Sequence, residues 1–200
     1  MKKGLTAPFL LSKVEKSGEK WEIDDFARLL FLSISRNLAA KTIMSFQGAI
    51  ALTLDAKGRL AIPARHRGAL STALAGREAD AAGGLILTAH PHKCLLLYPE
   101  PAWAPIRDRI LQAPSFDTRS AALKRVLIGN AREEGMDSAG RLLIAPELRE
   151  FAGLERKVWM VGLGSHFELW SDAGWQAQNA AAVEVLQSAE PPAGFGDFAL

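Results

Sequence analysis

Three side chains able to hold a metal alternate in His90-Pro-His92-Lys-Cys94, the spacing that places ligands on one face of a strand. A structural zinc ion needs a fourth ligand, and Pro91 disturbs the strand geometry that would align the three. Cys94 is also the single cysteine of the chain, which excludes a multi-cysteine cluster and a disulfide framework. The stretch reads as a turn between two strands, with Cys94 a small buried hydrophobe and no metal bound. Asp55 and Asp137 invite comparison with a catalytic carboxylate pair. Each heads an Asp-x-x-Gly sequence, however, where Asp caps backbone N–H groups of a turn. His66 and His166 have no plausible Ser or Cys partner for nucleophilic catalysis, and no Gly-rich phosphate loop, nucleophile elbow or metalloprotease helix motif appears. No enzyme, cofactor or small-molecule substrate is expected.

Charge is more informative. The 200 residues carry 24 Lys+Arg and 22 Asp+Glu, a formal +2 that by itself announces no nucleic-acid or membrane partner. Resolved along the chain, residues 1–43 hold eight basic and five acidic side chains, and residues 44–200 hold 16 and 17. From Ala56 to Arg77 the chain has five cations, Lys57, Arg59, Arg65, Arg67 and Arg77, and no acid. The expectation is one basic face at a turn and the helix start after it, suited to phosphate contacts and to arginine reading guanine edges.

The elements that must position these residues come in duplicate. Asp55-Ala-Lys-Gly-Arg-Leu-Ala-Ile62 matches Asp137-Ser-Ala-Gly-Arg-Leu-Leu-Ile144 at an offset of 82, which also places Arg67 on Arg149. Leu97-Tyr-Pro-Glu-Pro-Ala-Trp103 matches Leu169-Trp-Ser-Asp-Ala-Gly-Trp175 at an offset of 72. The difference of ten implies an insertion in the first copy, assigned to the Ala/Gly-rich Leu74–Gly84. In copy one Phe46, Gly48, Ile50, Leu52 and Leu54 alternate with smaller or polar residues, as in a strand with one buried face. The Asp-x-x-Gly turn and a short return strand through Leu60 and Ile62 complete an opening hairpin. Pro63, and Pro146 in copy two, stop that strand and start a short helix. Two strands follow in each copy, Leu85–Thr88 with Leu95–Tyr98 and Val158–Val161 with Phe167–Trp170, then a helical region. In copy one that region is Pro101–Leu111 and Asp117–Ile128, broken at Ala113-Pro114. Four short strands close a core poorly, so the copies are expected to pack as one pseudo-symmetric α+β, β-rich domain with peripheral helices.

These residues resemble a known family. The two Asp-x-x-Gly-Arg-Leu-x-Ile frames, with Cys-Leu-Leu-Leu-Tyr-Pro and Phe-Glu-Leu-Trp, are similar to the MraZ family of bacterial regulators over Met44 to about Gln187. The resemblance implies two tandem AbrB-like units of swapped-hairpin, split-barrel type, placed at 46–128 and 129–188. It implies a ring homo-oligomer that binds short direct repeats in double-stranded DNA upstream of division and cell-wall genes and regulates their transcription, in the cytoplasm at the nucleoid. The family's Asp-x-x-x-Arg motifs fall on Asp55 and Arg59 and on Asp137 and Arg141, and its turn lysine on Lys57. The expected DNA contacts are Lys57, Arg59, Arg65, Arg67 and Arg141, with Asp55, Gly58, Asp137 and Gly140 shaping the turns. Copy one carries most of the charge and so most of the reading; copy two is expected to serve packing and subunit contacts more.

Two departures accompany the resemblance: the lengthened loop before Leu85, and residues 1–43, which precede the family pattern. The latter contain an apolar run at Phe26–Ile34 too short to span a bilayer, and read as an extension outside the core fold. Residues 189–200 read as a flexible tail. The alternative function is a ring-forming scaffold that reads no bases and recruits a protein partner through residues 1–43. Trp103 and Trp175 are candidates for subunit contacts, with the core as their other station.

Overall fold

The computed structural model describes residues 46–73 and 84–188. The readings placed on residues 1–43, on Arg77 and the rest of 74–83, and on 189–200 lie outside the described residues.

Strand β1, Phe46–Thr53, buries Phe46 and half-buries Ile50 and Leu52, while Gln47, Ala49, Ala51 and Thr53 are exposed. The turn Asp55–Gly58 follows and leads into β2, Arg59–Ala61, and helix α1, Ala64–Ala73. Strands β3, Leu85–His90, and β4, Cys94–Pro99, form a hairpin whose strand residues are all buried. Helix α2, Glu100–Gln112, ends before Pro114. Helix α3, Thr118–Leu123, is capped by Asp117, whose carboxylate accepts from Ser120 N–H at 2.7 Å. Its continuation, Lys124–Ile128, widens so that Gly129 N–H donates to the Lys124 carbonyl. Copy two repeats the pattern with β5, Arg132–Glu134, β6, Arg141–Leu143, α4, Pro146–Phe151, β7, Lys157–Gly164, β8, Phe167–Ser171, and α5, Asp172–Ser188.

The opening hairpin expected from the sequence is only a turn. Its two arms share the Leu54–Leu60 bridge and then part. β1 pairs along its whole length with β7 of the other copy, from Phe46 opposite Gly164 to Thr53 opposite Lys157. The reason is length: β2 has three residues before Pro63 stops it, whereas β7 has the eight needed to satisfy the backbone groups of β1. β5 reciprocally pairs with β3, and β2 pairs with its counterpart β6. The result is an antiparallel sheet in the order β1-β7-β8-β4-β3-β5 and a separate two-stranded ribbon, β2-β6. Exchanging the copies maps the sheet order onto itself in reverse. The pseudo-twofold therefore runs between β4 and β8 and through the ribbon.

One core serves both copies. Phe46, Leu60, Ile62, Leu70, Leu85, Leu87, Leu95 and Leu97 cluster with Leu142, Ile144, Leu148, Val158, Met160, Phe167 and Leu169. The fold is mixed α/β with a sheet-rich centre. On copy one α2 buries Trp103, Ile106 and Ile110, which lie at helical spacing, and Trp103 sits 5.7 Å from the Tyr98 ring.

Candidate nucleic-acid interface

The ribbon is built from an alternation of three. Leu60 and Leu142 face each other and are fully buried, so their neighbours on each strand point outward. Arg59 stands opposite Leu143 and Ala61 opposite Arg141. The outward face therefore carries two arginines and two apolar residues, and Leu143 is 48% exposed.

Each end of the ribbon is closed by an Asp-x-x-Gly turn with the same internal geometry. Asp55 Oδ1 accepts from the Lys57 and Arg59 N–H groups, both at 2.9 Å, and Oδ2 accepts from Arg59 Nε at 2.8 Å. Asp137 Oδ1 accepts from Ala139 and Arg141 N–H at 3.0 and 2.9 Å, and Oδ2 from Arg141 Nε at 2.7 Å. The Arg59 N–H holds the Asp55 carboxyl below its usual range, helped by the Arg59 side chain; Arg141 does the same to Asp137. Each carboxylate thus shapes its turn and aims its arginine. Gly58 and Gly140 close the turns at φ +78° and +72°, where a side chain would be strained.

The turns are braced across the copies. Ile62 N–H donates to the Gly140 carbonyl at 3.0 Å, and Ile144 N–H to the Gly58 carbonyl at 2.8 Å. Arg67 Nε donates to the Ile62 carbonyl at 2.6 Å and Arg149 Nε to the Ile144 carbonyl at 3.1 Å. Both guanidinium groups lie against the opposite turn. A Cβ on Gly140 would come within 2.3 Å of Arg67 Nε, and one on Gly58 within 2.9 Å of Arg149 Nε.

This geometry corrects the single basic face expected over Ala56–Arg77. Lys57, exposed, and Arg59, half-buried, stand at the first turn, whereas Arg67 lies against the second. Arg65 is exposed, and its Nε donates to His66 Nε2 at 3.0 Å near the start of β1. The stretch is continuous in sequence and divided in space because β2 carries it from one turn to the other. Arg141 occupies the position in the second copy that Arg59 occupies in the first. Glu147, in copy two, pairs with Arg132 at 3.4 Å. The sequence pattern alone does not single out Arg149 or Leu143 as site residues. The signal for Arg149 was its match to Arg67 at the offset of 82, while Leu143 shows its place only through register.

The remaining candidates lie elsewhere. His90–Lys93 forms the turn between β3 and β4, with Lys93 N–H on the His90 carbonyl at 2.9 Å. Cys94 is fully buried, and burial pushes its thiol well above the ordinary range. Among the described residues no group of three or more His, Cys, Asp or Glu gathers to hold a metal ion. His66 is buried against the rings of Phe46 and Phe167, and burial lowers its pKa, with Arg65 adding to the effect. His166 stacks on Tyr98 with centroids 4.5 Å apart, and its Nδ1 lies 3.3 Å from Ser165 Oγ. That ring is buried beneath Tyr98, away from the ribbon. Trp103 belongs to the core, and Trp175 is half-buried against Trp159. No described helix is long and apolar enough to cross a membrane.

Comparison with known proteins gives a consistent result. The family model of the MraZ protein, described as antitoxin-like, matches twice in tandem, at residues 45–126 and 127–193. A protein of Dechloromonas aromatica (strain RCB) named transcriptional regulator MraZ is 64% identical over 155 residues, 78% of this chain and 99% of the relative. Proteins of the same name from Aromatoleum aromaticum and Azoarcus sp. (strain BH72) are 61% and 54% identical over the same coverage.

Proposed function

The chain belongs to the MraZ family, and we propose that it is a sequence-specific DNA-binding transcriptional regulator, without enzymatic activity, whose reading element is the β2-β6 ribbon. The observation that carries this reading is the outward face of that ribbon, with Arg59 and Arg141 each aimed by its own turn carboxylate. From Gly58 to Ile62, opposite Gly140, the ribbon spans four residue steps, about 13 Å at the rise of a strand. The major groove is about 12 Å wide and admits a two-stranded ribbon. Arg59 and Arg141 then face base edges, and the turns at either end approach the phosphates, with Lys57 at one and Arg65 and Arg67 on the side of the other. The exchange of β1 and β5 between copies supports the AbrB-like, swapped-hairpin assignment of the two units.

One chain offers about three phosphate contacts, from Lys57, Arg65 and Arg67, and binds weakly at physiological salt. A ring homo-oligomer would set several ribbons against successive direct repeats, and avidity would supply the remaining affinity. The target we assign is the DNA upstream of the division and cell-wall gene cluster, with the protein acting in the cytoplasm at the nucleoid. The test is an anisotropy titration on the protein's own upstream DNA. Lys57→Ala with Arg59→Ala is expected to abolish the preference for that DNA over random duplex; unchanged preference overturns the assignment. Log affinity should fall against log salt with a slope near −3 for about three phosphates per chain. A scaffold that reads no bases gives no binding to bare duplex.

A further inference from the structure

Leu143 is a large apolar side chain held outward on the end rung of the ribbon, on a face it shares with Arg59, Arg141 and the small Ala61. It stands between Leu142 and Ile144, both fully buried, so its exposure is imposed by the strand alternation. It faces Arg59 in register, whereas Arg141 faces Ala61. Residues directly opposite on antiparallel strands have Cβ atoms about 5 Å apart, and base pairs are stacked at about 3.4 Å. The base pair that Leu143 meets is therefore one or two steps from the pair within reach of the Arg59 guanidinium. In the major groove the apolar feature of a base edge is the C5-methyl group of thymine. Asp55 holds Arg59 Nε at 2.8 Å, so the arginine stays beside the leucine rather than folding over it.

We propose that Leu143 is a specificity-determining residue that covers the methyl group of a thymine near the guanine read by Arg59. The proposal rests on the ribbon being the DNA-reading element. Ala61, its counterpart opposite Arg141, is shorter by three carbons. Methyl recognition is consequently expected on one half of each recognised box, despite the pseudo-twofold frame.

The test uses the full chain and duplexes carrying the region upstream of its coding sequence, with thymines replaced singly by deoxyuridine, which lacks the methyl. For the unmodified protein one thymine per box is expected to be sensitive, with about a fourfold loss of affinity, the size expected for one buried methyl. Leu143→Ala should show that loss on the thymine duplex and no further loss with uracil, while its melting temperature stays unchanged. Replacing guanines singly by 7-deazaguanine locates the base read by Arg59, since that substitution is silent in Arg59→Ala. The sensitive thymine should lie within two base pairs of it. Indifference to uracil at every thymine, equal sensitivity in Leu143→Ala, or a sensitive thymine remote from that guanine overturns the inference and leaves the ribbon reading standing. Absence of any preference for the upstream duplex overturns both.

Discussion

Gly58 and Gly140 show how narrowly single residues are constrained at the ribbon ends. Both have φ in the left-handed region, and in both cases a Cβ would meet a guanidinium from the other copy. Gly153 also has φ +58°, but a Cβ there meets nothing within 4 Å. Alanine at position 153 is expected to cost only the backbone term, about 1–2 kcal/mol. Alanine at 58 or 140 adds the displacement of Arg149 or Arg67 and should cost about 1 kcal/mol more, the worth of the carbonyl hydrogen bond disturbed. Urea midpoints of the three variants check this, and equal losses would refute the bracing role. His166 makes a pH prediction. Burial lowers its pKa from 6.5 to about 4, so the unfolded chain takes up that proton more readily than the folded one. The associated stability, about 3 kcal/mol by the worth of a pKa unit, is complete above pH 6.5. It is lost progressively as pH falls to about 4. His166→Phe, which keeps a ring against Tyr98, should flatten the urea midpoint over that range; an unchanged slope would assign the acid sensitivity elsewhere.

At the scale of elements, the ribbon has three rungs and survives because it is pinned rather than because it is long. Leu60 and Leu142 close its inner side, and the Gly58 and Gly140 carbonyls tie its ends to the opposite strand. Leu60→Ala or Leu142→Ala should cost about 2–5 kcal/mol as buried leucine truncations. Leu143→Ala, on the same strand but facing outward, should stay within about 0.5 kcal/mol. Chemical denaturation distinguishes them, and a large loss from Leu143→Ala would mean that its side chain is part of the core. The alternation of β1 and the breaks at Pro63, Pro114 and Pro146 were legible because local sterics and burial on one face write themselves into the order of residues. The partners of β1 and β2 were not. A hairpin pattern states that two arms and a turn exist, but backbone hydrogen bonds go to whichever neighbour satisfies them along their length.

For the whole molecule, the exchange of β1 and β5 means that each copy keeps one hairpin, β3-β4 or β7-β8, and takes its edge strand from the other. Residues 46–128 and 129–188, made as separate chains, are expected to lack stable structure singly and to regain native far-UV circular dichroism on mixing, because each supplies the other's edge strand and half of the core. Folding of either piece alone would show that the exchange is dispensable. The duplication, the two Asp-x-x-Gly-Arg turns, the strand and helix order and the family were all determined by sequence, since they depend on residue type and spacing along the chain. Tertiary structure decided which cations share a surface. By routing β2 from one turn to the other and pairing it with β6, it split the basic stretch, set Arg67 and Arg149 to brace opposite turns, and brought Arg59, Arg141 and Leu143 onto one face. Charge adds through space, and the distances that count across a strand exchange are not written in the order of the residues.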